Sequence, residues 1–170
     1  YFEASLNYNT TIDDIHEISG MIIGISRELK YANAGDLQRS LPYRNLGVSG
    51  RFTYAYDERY FSEFNFGYNG SERFAKSERF GFFPSFGFGW YISNEDFMSA
   101  SEVITKLKLK STYGLVGNDQ IGSAEDRFFY ISQVNLNDGS MGAPFGNEFT
   151  NYINGVSIDR YANDQITWEK

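Results

Sequence analysis

The sequence predicts an all-β fold of antiparallel strands joined up and down, and three observations lead to this class. Aromatic residues, which favour strands, make up 18% of the 170 residues, with 16 Phe, 13 Tyr and 2 Trp. Glycine occurs 17 times and permits turns and close backbone approach. Much of the chain alternates apolar and polar residues with a period of two, which is the spacing of a strand with two different faces.

This alternation predicts about six strands. The clearest runs from Leu46 to Tyr56, where most even positions carry apolar side chains and the odd positions small or polar ones. Asp57–Arg59 then forms a tight turn suited to a hairpin. The other predicted strands are 2–9, 17–26, 60–69, 80–92 and 107–115, and Ile166–Lys170 resembles the start of a seventh. Pro84 removes one backbone donor, which predicts a bulge or a bend in its strand.

The connections between strands predict which strand ends lie together. The shorter ones are Thr10–Asp14, Asp57–Arg59 and Ser93–Glu102, and the longer ones are Leu29–Pro42, Gly70–Glu78 and Gly117–Asp164. Barrels of bacterial outer membranes have short turns at the periplasmic end and longer loops outside. The middle pair departs from this alternation, because Gly70–Glu78 is no longer than Ser93–Glu102. We expect Gly117–Asp164 to be a polar, irregular loop.

The two faces of the strands favour a membrane barrel over a soluble sandwich. On the apolar face, rings with a polar tip border a band of Leu, Val and Phe, as side chains do at membrane interfaces. Those near the short turns are Tyr8, Tyr54, Tyr56, Tyr60 and Trp90, and those near the opposite ends are Tyr68 and Tyr113. The other face carries residues that need water or partners: Arg51, Glu63, Asn65, Lys106, Lys108 and Lys110. A water-filled or plugged barrel interior provides both. The alternative interpretation of the chain is a soluble secreted all-β module that binds glycans.

Composition excludes several other classes. No stretch approaches the roughly 20 apolar residues of a membrane-spanning helix. A net charge of −7 argues against a nucleic-acid partner, and the absence of cysteine excludes disulfides and thiolate metal sites. Closed membrane barrels need at least about eight strands. We therefore expect both ends to be cut and the chain to be a fragment that pairs with strands outside it.

Specific residues carry a family resemblance, strongest between Gly50 and Gly122 and extending from about Phe2 to the end. The segments are Gly50–Glu72, Arg79–Ser85, Gly89-Trp90 with Ile92-Ser93, Leu107–Lys110, Tyr113-Gly114, Val116–Gly122 and Ile166–Glu169. They resemble the barrel of SusC/RagA-type TonB-dependent transporters of the Gram-negative outer membrane. The resemblance implies a barrel of about 22 strands in outer-membrane lipid, closed by an N-terminal plug that is missing here.

The same resemblance implies a function for the parent protein. Large nutrients, usually oligosaccharides or peptides, would be imported through TonB at the expense of the inner-membrane proton gradient. A SusD-like surface lipoprotein would cap the barrel. On this view residues 1–170 are part of the barrel domain, and residues 117–164 form a long extracellular loop region. No enzymatic activity and no cofactor are implied.

Isolated polar residues are interpreted as structural. His16 is the only histidine and has no catalytic or metal partners, so we predict an ordinary turn residue. The adjacent acids are predicted to be solvated: Asp13-Asp14, Glu95-Asp96 and Glu125-Asp126. Asn135–Gly139 faintly resembles a calcium loop but lacks the spacing and final Glu of an EF-hand. With one histidine and no cysteine, the sequence offers few residues for a hydrolase active site. No catalytic, cofactor or metal residue is predicted, and substrate-binding residues are not assigned.

Two alternatives stay open. The row Lys106, Lys108 and Lys110 either attracts an acidic substrate or, as we favour, pairs with acidic groups on the plug or on neighbouring strands. The long segment after Gly117 is rich in aromatics, which either stack sugars or contact the lipoprotein, or fold into a small cluster of their own. Those aromatics are Phe128, Phe129, Tyr130, Phe145, Phe149 and Tyr152.

Overall fold

The computed structural model describes residues 1–32, 41–99, 103–122, 126–147, 149 and 151–170. The strands are β1 (Phe2–Ile12), β2 (His16–Leu29), β3 (Tyr43–Tyr56), β4 (Tyr60–Ser71), β5 (Phe80–Tyr91), β6 (Lys108–Gly114), β7 (Gln133–Phe145) and β8 (Asn151–Arg160). Two single-turn 3₁₀ helices, Ile92–Asn94 and Asp96–Met98, lie between β5 and β6. Within these described ranges no helix is long and apolar enough to cross a membrane.

Strands β1 to β6 form one antiparallel sheet in which each strand pairs with its neighbours in sequence. The predicted all-β, up-and-down arrangement is confirmed, and the six predicted strands correspond to these six. Register runs without interruption from β1 through β5. It also passes through Pro84, which lies opposite Phe66, so of the predicted bulge or bend the bulge is excluded. The Pro84 carbonyl still accepts a hydrogen bond from the Leu115 N–H at 2.9 Å, so only the donor is lost.

Tight turns join β1 to β2 and β3 to β4. Asp13-Asp14 has φ values of 52° and 57°, and both Asp57 and Glu58 have φ of 50°. The Arg59 N–H donates to the Tyr56 carbonyl at 2.9 Å and closes the second turn. Two successive positive φ values are typical of type I′ turns, whose twist matches that of the flanking strands. Aspartate tolerates this conformation better than most residues, which leaves Glu58 as the strained position.

The connection between β5 and β6 differs from the prediction. It runs from Ile92 to Leu107, whereas the connection between β4 and β5 runs only from Glu72 to Arg79. The departure from alternating lengths that the sequence showed for this pair is therefore larger in the structure. The reason is that the β5–β6 connection is itself partly folded into two helical turns. Parts of two predicted connections lie outside the described residues. These parts are residues 33–40 of the Leu29–Pro42 loop, with Asn33, Gly35 and Asp36, and residues 100–102, with Glu102.

The large aromatic side chains of the six-stranded sheet are not collected in a closed core. Phe52, Phe86 and Phe88 are 44%, 59% and 48% exposed. The one buried hydrophobic residue among the described parts of this unit is Ala55. A soluble β-sandwich buries the apolar faces of its strands against a second sheet. This sheet therefore presents its apolar face outward.

A second compact unit comprises residues 72–79 and 120–167. Within it β7 and β8 form a two-stranded antiparallel ribbon with register shifts between Gln133 and Ala143. The expectation of an irregular loop is thus wrong for this part of Gly117–Asp164, because the shifts hide the period of two in the sequence. Phe74, Arg127 and Phe129 are the buried residues in the described part of this unit.

The predicted seventh strand is represented by a single contact. Asn118 and Glu169 form an isolated antiparallel bridge, with backbone N–O distances of 2.9 and 3.1 Å. The Asn118 side-chain amide also donates to the Glu169 carboxylate at 3.0 Å. Trp168–Lys170 belongs to the same compact unit as β1–β6. The ring of Trp168 meets that of Phe83 edge-on, with centroids 5.0 Å apart.

Candidate functional site: the two faces of the strand wall

A row of aromatic side chains crosses the outer face of β3 to β6. The register places Phe52 opposite Phe64, Phe64 opposite Phe86, and Phe86 opposite Tyr113. The ring centroids of Phe64 and Phe86 are 4.8 Å apart. Cross-strand aromatic pairs of this kind stabilise a sheet by about 0.2–1 kcal/mol each. Tyr113 lies near the far end of β6, as expected, but it is level with Phe86, whereas Tyr68 lies opposite Phe82.

Rings with polar tips form a continuous belt where the short turns lie. Centroid distances are 5.2 Å from His16 to Tyr56, 6.3 Å from Tyr56 to Tyr60 and 6.3 Å from Tyr60 to Trp90. His16 Nδ1 also lies 2.8 Å from the Tyr54 hydroxyl oxygen. The predicted girdle is confirmed at this end for the four aromatics on β3, β4 and β5. His16 is part of the belt rather than an ordinary turn residue.

Glu95 ties the belt to the connection that follows β5. Its carboxylate accepts hydrogen bonds from the Tyr60 hydroxyl at 2.7 Å and the Trp90 indole N–H at 2.8 Å, and Arg59 Nη1 lies 3.4 Å away. These donors, Tyr60 first, then Trp90 and Arg59, hold the pKa of Glu95 below its usual value. The prediction of a solvated charge is wrong for Glu95, whose side chain is 13% exposed, and right for Asp96, at 95%.

The opposite face of the sheet carries the polar strand residues and forms a cleft of about 1100 Å³, which Phe61 and Phe83 also line. Among the side chains that line it are Glu17, Ser19, Thr53, Asn65, Lys110 and Thr112. Glu63 accepts hydrogen bonds from Arg51 at 2.8 Å and from Asn65 at 2.7 Å. Arg51 lies on β3 and Glu63 on β4, so this network pairs two of the charges that the sequence placed on this face. The face therefore suits water or a polar partner rather than a hydrophobic core.

Two members of the lysine row, Lys108 and Lys110, lie on this face, and Lys106 precedes β6. Lys108 is opposite Tyr91 and Lys110 is opposite Gly89. In the part of the chain that the structure describes, neither they nor Lys106 forms an ion pair, so pairing with a neighbouring strand, as one alternative held, is not observed there. Lys106 and Lys108 instead approach aromatic rings.

The aromatics of the second unit divide between the two open alternatives. Phe129 is 7% exposed and contacts Arg160, whose Cζ lies 4.7 Å from the ring centroid. Phe128 and Tyr130 meet edge-on at 6.1 Å. These three follow the cluster alternative. Phe145, Phe149 and Tyr152 remain 54%, 71% and 56% exposed and are available to a partner or ligand.

The suspected calcium loop uses its oxygen atoms internally. Asn135 Oδ1 accepts from the Asn137 N–H at 3.0 Å, and Asp138 Oδ1 accepts from the Ser140 N–H at 2.8 Å. Hydrogen bonds from Ser157 and then Ser140 keep the pKa of Asp138 below its usual value. No cluster of three acidic, His or Cys residues that could hold a metal occurs within the described ranges. Asp13-Asp14 lies in a turn, and Glu125 falls outside the described residues.

Comparison with known proteins identifies the family. No protein-family model matches the chain. The chain is 34% identical over 135 residues to the TonB-dependent receptor SusC of Bacteroides thetaiotaomicron, which covers 78% of the chain and 13% of that receptor. The chain belongs to the SusC/RagA family of TonB-dependent receptors. This SusC/RagA segment is also 32% identical over 124 residues to TonB-dependent receptor P3 of Formosa agariphila, covering 73% of the segment and 11% of that receptor.

Solved structures show the same fold for the segment. The RagAB peptide transporter matches 98% of the segment with a TM-score of 0.72 and 23% sequence identity, over 20% of that chain. The RagAB peptide importer in its closed-closed state matches with a TM-score of 0.70 and 22% identity. The SusC/RagA segment spans about 11–18% of the length of the curated relatives it matches. Its six-stranded sheet accordingly represents part of a larger barrel.

Proposed function

We propose that the parent of this SusC/RagA segment is an outer-membrane importer and that β1–β6 form part of its barrel wall. The observation that carries the proposal is the opposition of two faces along the same strands. Phe52 and Phe86 are exposed on one face, and Arg51 pairs with Glu63 on the other. In a membrane, the first face contacts lipid and the second lines the interior.

The proposed cargo is a large nutrient, an oligosaccharide or a peptide, taken up at the expense of the proton gradient through TonB. Support comes from the relatives, which are named TonB-dependent receptors, and from the RagAB neighbours, which are described as a peptide importer. Energy coupling is assigned to the plug and to other parts of the parent outside this segment. No catalytic role is proposed for the wall, because the relatives are named as receptors and importers rather than as enzymes.

The second compact unit is proposed to lie outside the cell and to meet a SusD-like surface lipoprotein. Support comes from the likeness to SusC and from three exposed aromatic side chains, Phe145, Phe149 and Tyr152. Exposed aromatics of this size are typical of the anchors of protein interfaces. The same rings on a loop region also suit contact with a sugar ligand.

Extraction and uptake of the intact parent test the importer proposal. We expect the protein to stay in carbonate-washed outer membranes until detergent is added, and its gel mobility to change on boiling. Uptake of its nutrient should stop when TonB is deleted or a proton uncoupler is added. Release of the protein into the carbonate wash, before any detergent is added, would contradict the proposal. That result would favour a soluble glycan-binding module.

Co-purification tests the lipoprotein partner. A tagged parent should retain a surface lipoprotein through detergent extraction, and substituting Phe149 and Tyr152 together by alanine should reduce the recovered lipoprotein severalfold. Replacing Tyr130, which is half-buried in the cluster around Phe129, provides a control for general disturbance of this unit. Equal recovery from the double variant would exclude these two rings as the contact.

A further inference from the structure

We propose that Phe83, Asn69 and Ser49 form a binding site for an uncharged sugar unit of an imported oligosaccharide. The site lies on the inner face, the polar face of the sheet, at the end of the strands opposite the two tight turns. This inference rests on the proposed function, because only an importer draws an oligosaccharide along this face. It goes further by naming residues that contact the cargo and by choosing a sugar over a peptide.

The ring of Phe83 forms one wall of the site. Phe83 lines the cleft of the inner face, and the ring of Trp168 meets it edge-on with centroids 5.0 Å apart. A Cβ at Gly81 would lie 2.3 Å from Phe83 Cζ, and a Cβ at Gly117 would lie 2.0 Å from the same atom. The tip of the ring therefore rests against bare backbone at these two glycines. A ring that is already held in place loses little side-chain entropy when a ligand packs against it.

The space beside this ring is open on the side of β4. Gly67 lies directly opposite Phe83 on β5 and opposite Ser49 on β3. A Cβ at Gly67 would meet only Asn69 Nδ2 at 3.1 Å and Ser49 Oγ at 3.9 Å, and no atom of Phe83 within 4 Å. Glycine allows a ligand to approach the backbone closely. Gly67 is therefore the floor of a space that has polar groups on two sides and an aromatic ring on the third.

Asn69 and Ser49 supply hydrogen bonds at this space. Within the part of the chain that the structure describes, neither side chain is hydrogen-bonded to another residue. An amide offers two donors and an acceptor, and a hydroxyl both donates and accepts, which suits the hydroxyl groups of a sugar. The C–H groups on the faces of a sugar ring pack against an aromatic face such as that of Phe83. The three side chains thus match both kinds of surface that a sugar presents.

The charges on this part of the inner face favour a neutral sugar over a peptide. On β3, β4 and β5 the inner-face residues at this level and at the next level outward are uncharged: Ser49, Gly67, Phe83, Gly47, Asn69 and Gly81. One level further inward, Arg51 is already paired with Glu63 at 2.8 Å. Peptides carry ionised groups, whose burial without a partner is costly. The likeness to the RagAB peptide importer, at 22% identity, concerns the fold alone.

Calorimetric titration of the purified parent in detergent micelles tests the site. The probes are linear glucan, mannan and xylan oligosaccharides, with a mixture of peptides of similar length for comparison. We expect at least one sugar to bind, and Phe83→Leu and Asn69→Ala each to weaken its affinity severalfold, because the first removes the flat ring and the second removes the amide. Phe82→Leu is the matched control and should bind normally, since Phe82 is the next residue along β5, lies on the outer face and is 49% exposed.

A third variant fills the site and leaves the ring in place. Gly67→Leu should abolish sugar binding, because its side chain occupies the space beside Phe83. Gly24→Leu is its control, since a Cβ at Gly24 meets nothing within 4 Å. Gel mobility with and without boiling measures the folded fraction of each variant.

Three results would overturn the inference: unchanged sugar affinity in the folded Phe83→Leu and Gly67→Leu variants, binding of peptides alone, or binding of none of the sugars. TonB-dependent uptake of peptides without any sugar binding would leave the importer proposal standing. Absence of the parent from the outer membrane would instead refute the proposed function.

Discussion

Phe64 and Phe86 lie directly opposite each other on the outer face of β4 and β5, with ring centroids 4.8 Å apart and Phe86 59% exposed. Burial of apolar area normally stabilises a protein, so the exposure of Phe86 agrees with the lipid contact proposed for this face. The polar face of the same two strands carries Glu63, Asn65 and Ser85. The contrast between the faces leads directly to the first prediction.

Substituting a charged residue for Phe86 tests whether this side chain faces lipid. Phe86→Arg should reduce the amount of folded, heat-modifiable parent, because arginine near the bilayer midplane costs about 2–4 kcal/mol. Thr112→Arg is the matched control, since Thr112 lies on the polar face opposite Gly87 and is exposed. Gel mobility with and without boiling measures the folded fraction. Equal loss in both variants would contradict the assignment of the two faces.

Gly50 makes room for an aromatic ring. A Cβ there would lie 2.3 Å from Phe66 Cε1, whereas a Cβ at Gly24, on the neighbouring strand, would meet nothing within 4 Å. We expect Gly50→Ala to destabilise the barrel by about 1–3 kcal/mol, as overpacking usually does, and Gly24→Ala to have little effect. Denaturant unfolding in detergent micelles compares the two variants. Adding Phe66→Leu should restore part of the loss at Gly50.

Glu58 occupies a left-handed conformation, with φ of 50°. Glu58→Gly should stabilise the hairpin by about 0.5–1 kcal/mol, because glycine adopts this conformation without the clash of a Cβ. Glu58→Val should do the opposite, since β-branched side chains fit positive φ worst. The Asn94 side chain donates to the Glu58 carbonyl at 2.9 Å and is unaffected by either change. The unfolding midpoint should therefore be highest for Glu58→Gly, intermediate for the unchanged protein and lowest for Glu58→Val.

The Glu95 contacts predict a dependence on pH. Because its pKa is lowered in the folded protein, ionised Glu95 contributes stability at neutral pH, and that contribution is lost as pH falls through the lowered pKa. Glu95→Gln should thus lower the melting temperature at pH 7. The difference from wild type should shrink below the ordinary carboxyl pKa of about 4.3. Asp96→Asn, at a 95% exposed side chain, is the control and should change neither. A difference that persists unchanged in acid would refute this account.

Three features of the candidate surfaces could not be predicted from the sequence: the contacts of Glu95, the level of Tyr113 and the β7–β8 ribbon. Glu95 was predicted to be solvated because its neighbours in sequence are polar, yet its donor Tyr60 is 35 residues away. Tyr113 was placed by its position within its own strand, although the register with Phe86 determines its level. The ribbon of β7 and β8 escaped prediction because its register shifts interrupt the period of two. Each error concerns a pairing between side chains or strands that the pattern within one segment does not reveal.

The sequence by itself determined which side of each strand is apolar, because successive side chains of a strand point to opposite faces whatever lies beside it. It also determined the tight turn at Asp57–Arg59 and the short connection that ends at Asp14, and aspartate tolerates the positive φ found in both. The tertiary structure alone decided which side chains meet across strands: the Phe64–Phe86 pair, the Glu95 contacts, and Lys108 over Phe61 and Tyr91. Register couples residues far apart in sequence, and a one-residue shift would exchange the two faces of a strand.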